Sequence, residues 1–386
     1  MDFELNEEQK MLKSMIRDFA TKEIEPSAAQ IDEDASFPAE NVRKMAELGL
    51  MGIPFPEEYG GSGGGPLEFV LVTEELSRVC ASTGTIYFVT AGLAGKPLYW
   101  AGNEEQRQRF VTPVAKGEKI SCFGLTEPGA GSDAAGLETT ATKVDNGYVL
   151  NGSKVFITNG NEADIAVVFA TVDKSLRHKG ITAFAVEKGT PGFSVGKLEH
   201  KLGIRASSTA ELIFEDCFVP EENRLGNEGE GFKLAMRAID ASRVSVAAQA
   251  LGIAQGAFDK ALEYAEERKQ FGQPLNSFQA IQWMLSDMAT QIEAARLLVY
   301  QAAILEQTGK PFLKEACMAK LFAPEMAMSV TSKAIQIYGG YGYVKEYALE
   351  RYFRDARICS IYEGTSEMQR MTIMKALKNA STKVMA

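Results

Sequence analysis

The apolar positions along this chain change their period twice. From residue 1 to about 120 they recur at the three-to-four spacing of a helix. Met11, Met15, Ile16 and Phe19 fall on one face, and Pro38 opens a helix through Val42, Met45, Leu48 and Leu50, weakened at its end by Gly49. Helical patterns return over residues 67–79 and 104–114. Ahead of both, residues 54–66 carry a glycine run without the Gly-Lys-Ser/Thr ending of a phosphate loop, which reads as a flexible connector.

From about 120 to 228 the period shortens. Residues 165–170 and 181–186 are short apolar runs, and Ala210, Leu212 and Phe214 alternate with Glu211, Ile213 and Glu215. Turn signals stand between them at Asp145-Asn146-Gly147, Asn151-Gly152-Ser153, Asn159-Gly160 and residues 188–192. No helical pattern intervenes, so an antiparallel sheet or barrel is predicted rather than alternating β-α units. From about 229 the helical period resumes, with Phe258, Ala261, Leu262 and Ala265 on one face and Ile281, Met284, Leu285, Met288, Ile292 and Ala295 in a longer stripe. The polar, glycine-rich segment 221–231 reads as a linker. The fold class is therefore multi-domain α+β: helical over 1–120, an antiparallel β domain or β-barrel over 121–228, and helical again over 229–386.

Composition narrows the function classes. With 386 residues, 45% apolar, 24% charged and a net charge of -10, the chain is neither disordered nor collagen-like and lacks the basic footprint of a nucleic-acid binder. No apolar run reaches the length of a membrane span. The acidic start, with no basic-then-apolar segment, predicts no signal peptide and a cytoplasmic location. The five cysteines (80, 122, 217, 317, 359) have no CxxC spacing, which fits reduced thiols, and the two histidines, His178 and His200, sit in no zinc pattern. Metal chemistry and Ser-His-Asp schemes are disfavoured.

Three segments carry candidate chemistry. Gly129-Ala130-Gly131-Ser132-Asp133-Ala134 matches a loose dinucleotide pattern, but loop and strand follow it instead of a helix, so Rossmann-type NAD binding is rejected. The surrounding loop, residues 123–133, either forms an anion-binding concavity with Thr126 and Ser132 hydroxyls or is a plain turn. Phe156-Ile157-Thr158-Asn159-Gly160 sets an aromatic and a hydroxyl at a strand end, suited to a flat ring. In the third segment, Ser366 and Gln369 have capping-box spacing and predict a helix from residue 367. Glu363 then sits just before that helix beside Gly364, either as a general base whose pKa is raised by apolar surroundings or as a solvated loop carboxylate.

Together with Arg268-Lys269-Gln270-Phe271-Gly272 and Gln336-Ile337-Tyr338-Gly339-Gly340-Tyr341-Gly342, these segments make the whole chain resemble the acyl-CoA dehydrogenase family. The resemblance implies an N-terminal helical domain, a middle β domain, a C-terminal four-helix bundle, one FAD per subunit and a homotetramer. It matches Glu363 to the catalytic base. It matches Phe123, Leu125, Thr126 and Ser132 to the loop against flavin and thioester, with Ser132 also a substrate contact. Phe156, where some relatives carry Trp, Ile157 and Thr158 match the strand beside the isoalloxazine. Arg268, Phe271 and Gln279 match residues around the FAD pyrophosphate and adenosine, and Gln336, Gly339 and Gly340 a strip reaching the FAD of a neighbouring subunit. Thr365 and Glu367 fall on the cofactor side, and Phe232, Asp240, Arg243, Tyr362 and Gly364 on the substrate side.

The activity so implied is α,β-dehydrogenation of a monocarboxylic acyl-CoA of short, branched or alicyclic chain, with electrons passed to an electron-transfer flavoprotein. Ser242, beside Arg243, stands where some relatives carry the base and cannot serve as one. The position at which dicarboxylate-specific relatives carry an arginine falls at Gly84, which disfavours a glutaryl-type substrate. An enoyl-CoA reductase running the reverse reaction, an oxygen-using oxidase and a non-catalytic flavin-binding scaffold remain the alternatives.

Overall fold

The computed structural model describes residues 4–384, so Met1–Phe3 of the acidic start and the last two residues of the chain lie outside the described residues. Helix α1 (Glu7–Phe19) opens with a reciprocal Asn6/Gln9 capping box and runs through a π-helical turn into α2 (Glu25–Asp34). There follow α3 (Ala39–Glu47), α4 (Pro66–Val79), α5 (Ala81–Tyr87), a π-helical segment Phe88–Ala94, α6 (Gly95–Ala101), α7 (Glu104–Gln106) and α8 (Thr112–Ala115). Residues 81–98 are buried on every side, so they carry no amphipathic period, and periodicity passes over these helices.

The expected face of α1 is wrong in part. Ile16 is buried, but Met11 and Met15 are exposed. The helix docks on α4 through polar contacts on a different stripe: Gln9 Nε2 donates to Glu68 at 2.8 Å, Lys13 to Glu74 at 2.9 Å and Arg17 to Glu75 at 2.9 Å. Glu74 and Glu75 are themselves buried. Burial alone would raise the Glu74 pKa, but Lys13 and Arg296 outweigh it and hold the carboxylate below its usual range. The glycine run is also no loose connector. Gly61 N–H donates to Pro56 O, Ser62 to Gly52 O and Gly63 to Phe55 O, and a Cβ on Gly61 would lie 2.0 Å from Phe55 O.

Eight strands make the middle domain: β1 (Ser121–Gly124), β2 (Thr140–Val144), β3 (Gly147–Thr158), β4 (Ile165–Thr171), β5 (Ile181–Glu187), β6 (Phe193–Leu198), β7 (Thr209–Pro220) and β8 (Arg224–Leu225). The path runs β6-β7-β3-β2-β4-β5-β8, with β1 beside β4. Most pairs are antiparallel, but β1 and β2 each meet β4 in parallel. Strand β8 arises inside the expected linker, pairing Leu225 with Ala183. The continuous apolar run of β4 has a simple cause. Ile165, Val167 and Phe169 enter the core shared with the helices, while Ala166, Val168 and Ala170 enter a second core inside the β domain.

The C-terminal part contains α9 (Gly231–Glu267), a short hairpin of β9 (Lys269–Gln270) and β10 (Gln273–Pro274), then α10 (Gln279–Gln307), α11 (Leu313–Tyr338), α12 (Leu349–Ala356) and α13 (Ser366–Val384). Among the described residues no helix is long and apolar enough to cross a membrane. Helix α13 begins at Ser366, one residue before the expected start. Its cap is Thr365, whose hydroxyl accepts from Met368 N–H at 3.4 Å, whereas the Ser366 hydroxyl is buried without a partner. Helix α9 crosses α4 in backbone contact: a Cβ on Gly252 would lie 2.2 Å from Glu74 O, and one on Gly256 2.0 Å from Arg78 O. Gly256→Ala should therefore lower the free energy of unfolding by about 1–3 kcal/mol or more, through forced separation of the two helices. Urea denaturation checks this, and an unchanged midpoint would show that the crossing has slack.

Candidate active site

Glu363 lies in the five-residue connection between the 3₁₀ turn Arg357–Ser360 and α13. Its φ is +54°, and that of Gly364 is +91°, so two successive residues sit in the left-handed region. For a glutamate this conformation is strained and must be imposed by its surroundings. Three contacts impose it. Lys320 Nζ donates to Gly364 O at 2.6 Å, and Gln369 Nε2 donates to Gly364 O at 2.8 Å and to Glu363 O at 3.3 Å. The Glu363 N–H makes no hydrogen bond within the chain among the described residues, which leaves a donor free beside the carboxylate. Burial pushes the Glu363 carboxyl up to about 7, against the pull of Lys320 and Arg243. Residues 362–365 are half-buried, so Glu363 is shielded enough for desolvation to raise its carboxyl and still opens to a ligand.

Beside Glu363, the Tyr362 hydroxyl donates to Gln249 Oε1, and the Tyr362 ring meets Phe88 edge-on at 6.4 Å. Gln249 is fully buried and donates to Thr85 Oγ1 at 2.6 Å and Ala81 O at 3.2 Å. This polar knot closes the space next to Glu363 on the side of α5 and the π-helical segment. Gly84 faces elsewhere: a Cβ there would meet Ser77 Oγ at 2.2 Å, so the position does not line this space. None of Ala81, Thr85, Phe88, Gln249 and Tyr362 is cationic. On α9, Arg243 pairs with Asp240 at 2.7 Å, and burial pushes the Asp240 carboxyl up. The Arg243 Nε is buried without a partner. Phe232, in the first turn of the same helix, lies beside His178 of the β domain at 5.9 Å.

The β domain supplies the opposing wall. Ser121 Oγ and Asn159 Nδ2 bond Thr90 in the π-helical segment, so β1 and the end of β3 are fixed to the segment that also carries Phe88. Phe123 and Leu125 are buried in the core shared with the helices. Thr126 O accepts from Val155 N–H at 2.9 Å, which ties the 123–133 loop to β3 just before Phe156. Underneath runs a buried ion pair. Lys154 Nζ lies 2.6 Å from Glu127 Oε1, and Glu127 also accepts from Thr139 N–H at 3.0 Å and from Glu138 N–H. Burial lowers the Lys154 pKa to about 8 against the pull of Glu127.

Phe156 itself has φ +58° and is 65% exposed, while Ile157 behind it is buried. Among the described residues the hydroxyls of Thr126, Ser132 and Thr158 bond nothing in the chain, and a Cβ on Gly129 or Gly131 would meet open space. An exposed ring held out in a strained conformation, with free hydroxyls and open glycines around it, fits a flat heteroaromatic group such as a flavin.

The remaining expected residues form a separate outer cluster. A cavity of about 480 Å³ is lined by Tyr264, Arg268, Gln270, Tyr338, Gly339, Gly340 and Tyr341. Arg268 lies over the Tyr341 ring at 5.6 Å. Phe271 is 93% exposed with φ +51°, and Gln279, at the start of α10, and Gln336, near the end of α11, are exposed as well. The structure thus gathers Arg268, Gly339 and Gly340 around one cavity, although the resemblance matched Arg268 to the FAD pyrophosphate and adenosine and the two glycines to the FAD of a neighbouring subunit. Thr365 and Glu367 line a second, smaller cavity at the start of α13.

Sequence reasoning missed Lys320, Gln249, Gln369, Thr85 and the Lys154–Glu127 pair. The available signal was a polar residue inside a run of small apolar ones: Lys320 between Ala319 and Leu321, and Gln249 between Ala248 and Ala250.

Comparison with known proteins gives the same picture. Residues 6–118, 122–217 and 229–378 match the N-terminal, middle and C-terminal domains of acyl-CoA dehydrogenase. The chain is 54% identical to the short-chain-specific acyl-CoA dehydrogenase of Clostridium acetobutylicum over 97% of this chain and 98% of that one. It is 52% identical to the acryloyl-CoA reductase (NADH) of Anaerotignum propionicum over 97% and 95%. A chain in the structure of the electron transferring flavoprotein of Acidaminococcus fermentans superposes with a TM-score of 0.96, at 52% identity, over 98% of this chain and 99% of that one. Helical, β and helical parts all match in order across nearly the full length, and the chain belongs to the acyl-CoA dehydrogenase family.

Proposed function

We propose that this protein is an FAD-dependent dehydrogenase of short, monocarboxylic acyl-CoA thioesters, with Glu363 as the base. The observation that carries the reading is Glu363 itself: a desolvated carboxylate, forced into a left-handed backbone conformation, beside its own unbonded N–H. A thioester α-proton is weakly acidic, and its removal builds negative charge on the thioester oxygen. The free Glu363 N–H is placed to receive that oxygen, and preorganised donors of this kind contribute about 3–4 kcal/mol to the barrier. The carboxylate takes the α-proton. Its ordinary range would make it a weak base, and burial lifts it to about 7, close to the working pH. Bound FAD would supply the acceptor for the β-hydride that completes the double bond.

Phe156, Ile157, Thr158, Leu125, Thr126 and Ser132 hold the flavin ring and exclude water on this reading. The Lys154–Glu127 pair keeps the two segments in register. Phe232, Asp240, Arg243, Tyr362 and Gly364 face the thioester. Arg268, Phe271, Gln279, Gln336, Gly339 and Gly340 form an outer surface for the adenosine end of a cofactor shared across a homotetramer. An electron-transfer flavoprotein takes the electrons, and the cytoplasm is the location. The match to a chain in an electron transferring flavoprotein structure supports the partner. The short chain is supported by the Gln249–Tyr362–Thr85 knot next to the base and by the short-chain specificity of the Clostridium relative. The monocarboxylic reading rests on that uncharged knot, since Gly84 faces α4. A second reading, reduction of an enoyl-CoA on the same site, is favoured by the identity to the acryloyl-CoA reductase.

Anaerobic titration with a panel of acyl-CoAs tests the function: short saturated thioesters should bleach the oxidised flavin band, and enoyl-CoAs alone reoxidising reduced enzyme would favour the reductase. Glu363→Gln should keep FAD and ligand binding but lower the rate of bleaching by at least ~10²-fold, as expected for a lost general base. Substantial residual activity would remove Glu363 from the role. Because the base must be ionised, kcat/KM should fall about tenfold per pH unit below about 7 and level off above it. A profile flat down to pH 5 would contradict this. Gln249→Ala should shift the ratio of kcat/KM values toward longer acyl chains, measured on the same panel; an unchanged ratio would place the floor of the pocket elsewhere.

A further inference from the structure

Among the described residues Lys320 is a buried cation without an ion pair. It sits on α11 with no solvent exposure, and its one hydrogen bond among the described residues is the 2.6 Å bond to Gly364 O. Burying an ammonium is costly unless it is paired and fully bonded, and two of its three donors go unused here. Packing alone would be served better by a methionine. Stability therefore gives no reason for a lysine at this place, and its position gives one: it touches the residue next to Glu363.

We propose that Lys320 is a positioning residue for Glu363, holding the left-handed turn through the Gly364 carbonyl and keeping the carboxylate ionised at neutral pH by its charge. This rests on Glu363 being the base. The geometric part is shared, because Gln369 Nε2 bonds the same carbonyl at 2.8 Å. The electrostatic part is not. The groups facing Glu363 and Lys320 are Arg243 and Asp240 from α9, Cys317 on α11, Cys359 from the 3₁₀ turn, and Tyr362. Arg243 is paired with Asp240 at 2.7 Å, and burial pushes the Cys359 thiol up to about 12, so it stays neutral. Lys320 is left as the unshared positive charge. Burial brings Lys320 down to about 8 and Glu363 up to about 7, so both are charged in the interval between. After Glu363 accepts a proton, Lys320 remains as a cation next to a neutral acid, which favours return of the proton to solvent and resets the base.

The test uses the FAD-loaded enzyme and two variants, Lys320→Met and Lys320→Gln; the second retains a donor for Gly364 O should the first fail to fold. The titration of Glu363 is followed by the infrared band of its protonated carboxyl, assigned by its loss in Glu363→Gln, and the acid limb of kcat/KM is measured in parallel. Both midpoints should move up by about one pH unit or more in each variant, the size expected on removing a neighbouring opposite charge. At pH 6 kcat/KM should then fall about tenfold while values above the new midpoint recover. Unmoved midpoints in both variants, with lowered stability as the sole effect, would overturn the proposal. A band that moves in an enzyme whose flavin is bleached by none of the acyl-CoAs would sink the dehydrogenase reading and support the role of Lys320.

Discussion

The crossing of α4 and α9 is the constraint from which the site follows. At Gly252 and Gly256 the two helices approach backbone to backbone, and any side chain would push them apart. That separation fixes what α9 can reach. One turn before Gly252, Gln249 meets Ala81 and Thr85 at the start of α5; on the far side of the crossing, Tyr352 of α12 donates to Arg78 O at 2.7 Å. Helix α11 packs along the same α9 and brings Lys320 to the Glu363 turn. A shift of the crossing would therefore disturb Gln249, Arg243 and the Glu363 turn together.

The molecule buries charge in two different ways, and the difference marks structure from chemistry. Lys154 and Glu127 meet at 2.6 Å, and Glu127 is further bonded by two backbone N–H groups. Such a satisfied pair holds two segments in register, and breaking it by removing one partner typically costs about 3–5 kcal/mol. Among the described residues Glu363 has no such partner. Desolvation raises the pKa of its carboxylate to about 7, against the pull of Lys320 and Arg243, and leaves it able to take a proton near neutral pH. The backbone strain at Glu363 and at Phe156 belongs to the same logic. Both residues are non-glycines at positive φ, and each presents its side chain where a ligand can meet it.

How much was legible in advance depended on whether the signal was local. The strands at 165–171, 181–187 and 209–220 stood out because alternation or a continuous apolar run follows from burial of one or both sheet faces. The Glu363 turn and the Phe156 strand end were legible because glycine, hydroxyl and aromatic residues cluster within a few positions. Helices buried on every side, such as residues 81–98, left no period to read. The α1 face was misread because its docking is ionic, and Lys13 and Arg17 look like surface residues until Glu74 and Glu75 are found beneath them.

Local stretches of the chain were enough to read the order of helical, β and helical parts and the segments in which the candidate chemistry lies, Glu363 among them. These are properties of short stretches, where residue type and spacing act directly on the backbone. What stands around Glu363 emerges only when distant segments pack together. Lys320 lies 43 positions before Glu363 and Gln249 lies 113 before Tyr362, and nothing in either segment announces the other. Desolvation, an unsatisfied N–H and the balance of charges on one carboxylate are sums over everything within a few ångströms. Packing of α9 against α4 and α11 is what brings those atoms there.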